Sequence, residues 1–214
     1  MEANVENQIR RRTNARGRGA IVFPEEFYRH FKPGNVTVAF SALQRKGHLK
    51  RLAQGIYLFP KMDPELGILL PGIDQIAAAI AKRDKARIVP TGILALNQLG
   101  LSTQVPLKAV YLTDGSPRKI MLGNRSITFK KKSPKALAMK GKISSLVVMA
   151  LQELGKEGIT ESMKVKLSEV LQNENPKTIW HDAHLAPAWV AQIVINLVAN
   201  PNHATPKTTA RKKI

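Results

Sequence analysis

Two groups of residues in this chain have types and spacing suited to chemistry. The first lies between Thr37 and Gln54. Thr37, Ser41, Gln44 and Arg45 recur at helical spacing and carry the groups that read base edges: Arg pairs bidentately with guanine, Gln with adenine, and Ser or Thr with either. Val38 and Ala42 on the same side suit thymine methyls. Lys50, Arg51 and Gln54 follow in a short apolar–basic stretch and suit phosphates. Arg16 and Arg18 alternate with Gly17 and Gly19, and glycine lets a backbone approach a phosphate closely. The run Lys130-Lys131-Lys132 offers a second nucleic-acid contact. The other group is His181-Asp182-Ala183-His184, two imidazoles and a carboxylate within four residues. A metal site needs a further fixed ligand, and none is apparent, so these read as surface or capping residues.

No other enzyme signature emerges. Asp114-Gly115-Ser116 has the chemistry of a turn rather than of a nucleophile elbow. Gly141-Lys142 lacks the upstream glycine and the following Ser or Thr of a phosphate loop. A nuclease needs clustered carboxylates for its metal ions, and Asp63, Glu65, Asp74, Asp84 and Asp114 show no pairing motif. The absence of cysteine excludes disulfides, a thiol nucleophile and Cys-ligated metal. The expectation is a binding protein with no catalytic residues, no metal and no cofactor.

The elements that must position the first group follow from periodicity. Val36, Ala39, Phe40 and Leu43 form one apolar stripe, which predicts a helix over Asn35–Lys46 stopped at Gly47. Upstream, Asn4–Asn14 reads as a polar, Arg-rich helix and Ala20–Phe23 as a strand. Pro24 with Glu25 and Glu26 reads as the start of a helix ending before Pro33-Gly34. Downstream, His48–Leu52 and Ile56–Phe59 flank Gln54-Gly55 as a hairpin. Helix, strand, helix, helix and hairpin is the order of a winged helix-turn-helix, whose last helix enters the major groove.

The charge agrees with a polyanionic partner. The 214 residues carry 34 Lys and Arg against 15 Asp and Glu, a net +19. Residues 1–60 hold net +7, residues 61–140 net +9 and residues 141–200 net −1. One basic front and a near-neutral back predict a charged face rather than an evenly charged surface. The N-terminal residues lack the apolar core of a signal peptide, and the longest apolar stretch, Ala186–Ala199, is too short for a bilayer. A cytoplasmic protein without a membrane partner is expected.

The remaining chain divides into three. Residues Pro60–Pro71 contain three prolines and read as a connection. Residues 72–199 read as a mixed α/β unit with a helical C-terminal part. It has helices on the Ile73–Ile80 stripe and from Thr91 as a cap, strands at Arg87–Val89 and Lys108–Thr113, and a hairpin around Gly123-Asn124. Three helices then follow from Lys140. Residues 200–214, rich in Pro, Thr and Lys, read as a basic disordered tail. The fold class is therefore α+β, with the winged helix-turn-helix in residues 1–60.

The stretch Gly19–Pro60 resembles the N-terminal domain of AbiEi-type antitoxins from type IV toxin–antitoxin (abortive infection) systems. The residues that carry the resemblance are Arg16-Gly17-Arg18-Gly19, Phe23, Phe27, Ala39, Ser41, Leu43, Gly47, Arg51-Leu52 and Gly55-Ile56-Tyr57. Ala42 stands where family members often carry Arg. Ile88-Val89-Pro90-Thr91-Gly92, Ala95-Leu96-Asn97, Leu99–Pro106 and Tyr111-Leu112-Thr113-Asp114-Gly115 also resemble the family, so the likeness covers Asn7–Leu154. It implies a repressor that binds double-stranded operator DNA of its own operon and antagonises a nucleotidyltransferase-like toxin. The chain lacks the glycine-serine and paired-aspartate pattern of such a toxin.

Overall fold

The computed structural model describes residues 2–104, 106–133 and 137–199. The expected tail at 200–214 lies outside them. The fold is α+β and divides into two compact units. The first runs to Asp84 and includes Ile120–Ile127; the second takes Lys85–Lys119 and the chain from Thr128.

The first unit begins with α1 (Glu2–Arg16) and β1 (Ile21–Val22). The helix expected from Pro24 is only a 3₁₀ turn, Pro24–Phe27. Its hydrogen bonds are short-range, Glu26 N–H to Phe23 O and Tyr28 N–H to Glu25 O. Pro33 explains the truncation. It forces Lys32 into extended backbone (φ −60°, ψ 137°), so too few residues remain between the two prolines for a stable α-helix. Pro33 instead occupies the first turn of α2 (Pro33–Arg45), where a missing N–H costs nothing.

The apolar stripe of α2 is buried as its spacing predicts: Val36, Ala39, Phe40 and Leu43 are inaccessible to solvent or nearly so. They pack with Val5 and Ile9 of α1 and with Val22, Phe27, Leu49, Tyr57 and Phe59 in one core. Phe40 meets Phe27 edge-on at 5.8 Å and Tyr57 at 4.8 Å between centroids. At the far end, Gly47 N–H reaches Gln44 O at 3.0 Å and His48 N–H reaches Leu43 O at 2.9 Å. These are the paired bonds of a Schellman stop, and Gly47 takes the left-handed φ of +69° that it requires.

The chain then turns into β2 (Lys50–Ala53) and β3 (Ile56–Leu58), giving a three-stranded antiparallel sheet ordered β1-β3-β2. Pro60–Pro71 is not an open connection. It folds as a further hairpin, β4 (Lys61–Asp63) and β5 (Gly67–Leu69). Asp63 closes its turn by accepting from the Glu65 and Leu66 N–H groups at 3.0 Å each. Nor does the unit end at residue 60, because α3 (Ile73–Asp84) belongs to it. The Arg83 guanidinium lies 4.6 Å over the Phe23 ring and 3.6 Å from Glu25.

In the second unit β6 (Ile88–Pro90) pairs antiparallel with β7 (Lys108–Thr113). With β8 (Arg118–Leu122) and β9 (Arg125–Lys131), whose hairpin end Ile120–Ile127 is grouped with the first unit, they form a sheet ordered β6-β7-β9-β8. The cap of α4 (Ile93–Gln98) is Gly92, not Thr91, whose hydroxyl donates to Val110 O in the neighbouring strand. The helical part comprises α5 (Lys142–Leu154), α6 (Glu161–Leu171), α7 (Pro176–Leu185) and α8 (Ala188–Ala199) around a core of Val147, Leu151, Leu167, Leu171, Val190 and Val194.

Two acids from later in the chain close the start of α5. The buried Asp182 carboxylate accepts from Lys140 and Gly141 N–H at 2.8 Å each and from the Ser144 hydroxyl at 2.6 Å. Glu174 accepts from Ile143 N–H at 2.7 Å. Both anions face the positive end of the helix dipole.

Two substitutions test these cores separately. Phe40→Ala is expected to destabilise the first unit by about 3–5 kcal/mol through the cavity it leaves. Asp182→Ala is expected to destabilise the second by about 3 kcal/mol, because buried donors lose their acceptor. Urea unfolding followed by a probe in each unit measures both; equal stability of either variant and wild type contradicts the role given to that residue.

Candidate nucleic-acid interface

The face of α2 opposite its buried stripe is open. Thr37, Val38, Ser41, Gln44 and Arg45 are exposed, and Ala42 is half-buried. The helix brings all four base-reading candidates onto one surface, because they fall within a three-to-four-residue period. The hydroxyls of Thr37 and Ser41 donate to Pro33 O at 3.0 Å and Thr37 O at 2.9 Å, each one turn back. Among the described residues Gln44 and Arg45 make no side-chain hydrogen bond or ion pair, so their donors are available.

The hairpin that follows positions Lys50, Arg51 and Gln54. Ala53 pairs with Ile56 across a two-residue turn, Gln54-Gly55, with Gly55 at φ +69°. The register shifts between Arg51 and Ala53, and such a bulge sharpens the local twist. Arg51 is exposed and its Nε donates to Ala53 O at 3.4 Å; Gln54 is exposed at the tip and Lys50 is half-buried. The loop from α2 to this hairpin is only Lys46–Leu49, so helix face and hairpin are covalent neighbours.

Arg16 and Arg18 have partners inside the chain. Both terminal nitrogens of Arg16 bond the Glu26 carboxylate, which also accepts from Phe23 N–H at 3.2 Å. Arg18 lies 5.3 Å over the Phe59 ring and donates to Pro60 O at 3.1 Å. In the free protein these arginines brace β1 and its surroundings. Lys130, Lys131 and Lys132 are exposed at the end of β9 in the second unit, where Lys132 N–H donates to Thr113 O at 2.9 Å.

Sequence reasoning missed His48. Its Nδ1 lies 3.3 Å from Arg10 Nη1, and because a guanidinium only donates, Nδ1 must accept. The proton is then on Nε2, 3.0 Å from Thr13 Oγ1, and that hydroxyl donates to Ile9 O or Arg10 O. The ring rests against Phe59 at 4.9 Å. Standing directly after the Schellman stop, His48 fastens the corner between α2 and β2 to α1. Its only sequence signal is its place two residues beyond Lys46. Burial, then Arg10 and Arg18, hold its pKa below the ordinary 6.5.

The His181–His184 cluster is not assembled as a metal centre. Asp182 is spent on the start of α5, His181 Nδ1 lies 2.9 Å from Asp182 Oδ1, and His184 Nδ1 lies 2.7 Å from Trp180 O. Burial works to raise the Asp182 pKa, but bonds from Ser144, His181, Lys140 and Gly141 outweigh it and hold the carboxyl below its ordinary range. Among the described residues no three His, Asp or Glu are grouped to hold a metal ion. Among them also, no helix is long and apolar enough to cross a membrane.

Residues 8–179 match a family described as "Family of unknown function (DUF6088)". No curated protein matches the chain.

The His48 latch carries a pH dependence. In the unfolded chain the ring titrates at its ordinary value, and in the native state it stays neutral to lower pH. The unfolded state therefore binds more protons in that window. The stabilisation is fully present above pH 6.5 and is lost as pH falls through the native value. Urea midpoints between about pH 8 and about pH 5 are expected to fall more steeply for wild type than for His48→Gln. Parallel profiles contradict the latch.

Proposed function

We propose that this protein, which belongs to the DUF6088 family, is a sequence-specific regulator that binds double-stranded DNA through its first unit. The observation that carries the reading is the exposed polar face of α2, fixed from behind by Phe40 and continued within four residues by the hairpin bearing Lys50 and Arg51. In this reading the unit works as a winged helix. The exposed face of α2 enters the major groove, and the β2–β3 hairpin lies against the phosphates. The net +7 of residues 1–60 supplies attraction that does not depend on sequence, while Gln44 and Arg45 supply base readout. Arg16 and Arg18 hold the scaffold and reach phosphate only by exchanging a partner.

The likeness to AbiEi-type antitoxins extends the proposal. The chain represses its own operon in the cytoplasm and antagonises a nucleotidyltransferase-like toxin, acting as a binding protein rather than an enzyme. Lys130–Lys132 extend the nucleic-acid contact. A nucleotidyltransferase-like gene beside its own supports the antitoxin role, and its absence leaves a stand-alone repressor.

Binding to duplexes selected from a random library tests the docking. Arg45→Ala is expected to cost about 1–3 kcal/mol and to relax preference at one base pair. Arg51→Ala is expected to weaken binding to all sequences and to reduce the salt slope by about one. Variants that both bind like wild type overturn this docking, and a preference for structured RNA over duplex DNA at matched salt overturns the partner.

A further inference from the structure

The middle of the α2 face has a chemical polarity that its sequence does not display. A serine or threonine hydroxyl both donates and accepts, and so by itself suits any base. Here both hydroxyls have committed their proton, Thr37 to Pro33 O and Ser41 to Thr37 O. What remains outward on each is a pair of lone pairs, so residues 37 and 41 present acceptors only. Beside Ser41, three residues before it on the open face, Val38 shows 47% of its surface to solvent. That is a bare branched apolar group within a polar face. Ser41 lies four positions after Thr37 and three after Val38, so it neighbours both on the open side of the helix.

Resting on the DNA-binding reading above, we infer that Thr37, Val38 and Ser41 select an A·T base pair, with Val38 the specificity-determining residue. Acceptors seek an exocyclic amine, which the major groove offers on adenine and cytosine and lacks on guanine and thymine. A branched apolar side chain seeks the thymine methyl. Cytosine's amine comes with no methyl on its pair, so the amine and the methyl occur together only in A·T. Gln44, one turn further along the face, has the bidentate geometry for a second adenine.

The test uses the full chain and the duplex consensus selected from a random library. Each consensus thymine is replaced in turn by deoxyuridine, which removes only the methyl. Each adenine is replaced by deoxynebularine, which removes only the amine. Wild type is expected to lose about fourfold in affinity at one thymine, the worth of one buried methyl group. Val38→Ala is expected to bind thymine and uracil alike at that position. Thr37→Val and Ser41→Ala together are expected to abolish the penalty for losing one adenine amine. Val38 is exposed, so Val38→Ala should melt with wild type, which separates a readout defect from a folding defect. A sequence-specific consensus with no methyl-sensitive thymine overturns this inference alone, as does equal uracil sensitivity in wild type and Val38→Ala. Failure to prefer any duplex sequence overturns it together with the reading on which it rests.

Discussion

Phe40 fixes the geometry on which the rest of the first unit depends. Its ring is fully buried, edge-on to Phe27 on one side and tilted against Tyr57 on the other. Phe27 belongs to the 3₁₀ turn and Tyr57 to the central strand, so one side chain ties α2 to both neighbours. A helix with period 3.6 cannot bury residues 36, 39, 40 and 43 without turning residues 37, 41, 44 and 45 outward. The open face follows from the core. Gly47 and His48 then end α2 at a defined angle, so the hairpin leaves from a fixed corner.

The positive charge of this unit has two fates. Arg10, Arg16, Arg18 and Arg83 are engaged with His48, with Glu26, with Phe59 and Pro60, and with Phe23 and Glu25 respectively. Exposed ion pairs such as Arg16–Glu26 contribute at most about 1 kcal/mol, so their use is positional more than energetic. Arg45 is exposed and, among the described residues, makes no side-chain hydrogen bond or ion pair. The Arg45 guanidinium and the Gln44 amide therefore stand with open donors on the helix face, as an electrostatically guided docking surface needs. The second unit is organised differently. Its helical part buries an acid, Asp182, at the start of α5, and uses it and Glu174 to complete the helix.

What was legible in the sequence was what local periodicity and turn chemistry determine. The α2 stripe, the Gly47 stop, the hairpin around Gly55 and the hairpin around Gly123 all lie within short windows. The expected second helix failed because Pro33 competes for the same residues. It starts the next helix better than it ends the previous one, leaving Pro24–Phe27 a single 3₁₀ turn. The β4–β5 hairpin was hidden because prolines suggest a connection, yet Pro64 falls in the turn and Asp63 satisfies that turn's backbone. The open face of α2 was legible because exposure is the complement of burial. The partners of Arg16 and Arg18, the Arg10–His48–Thr13 latch and the Asp182 cap were not, because each joins residues 10 to 42 positions apart. No local pattern marks such pairs.

The proposed DNA-binding surface is the outer face of α2 with the adjoining hairpin. Titrating the isotope-labelled full chain with its selected duplex, and following backbone and side-chain resonances, addresses it most directly. The largest perturbations are expected on Thr37, Val38, Ser41, Gln44 and Arg45 and on Lys50–Gln54. Duplex binding that leaves these resonances in place and perturbs the helices from α5 to α8 would contradict it.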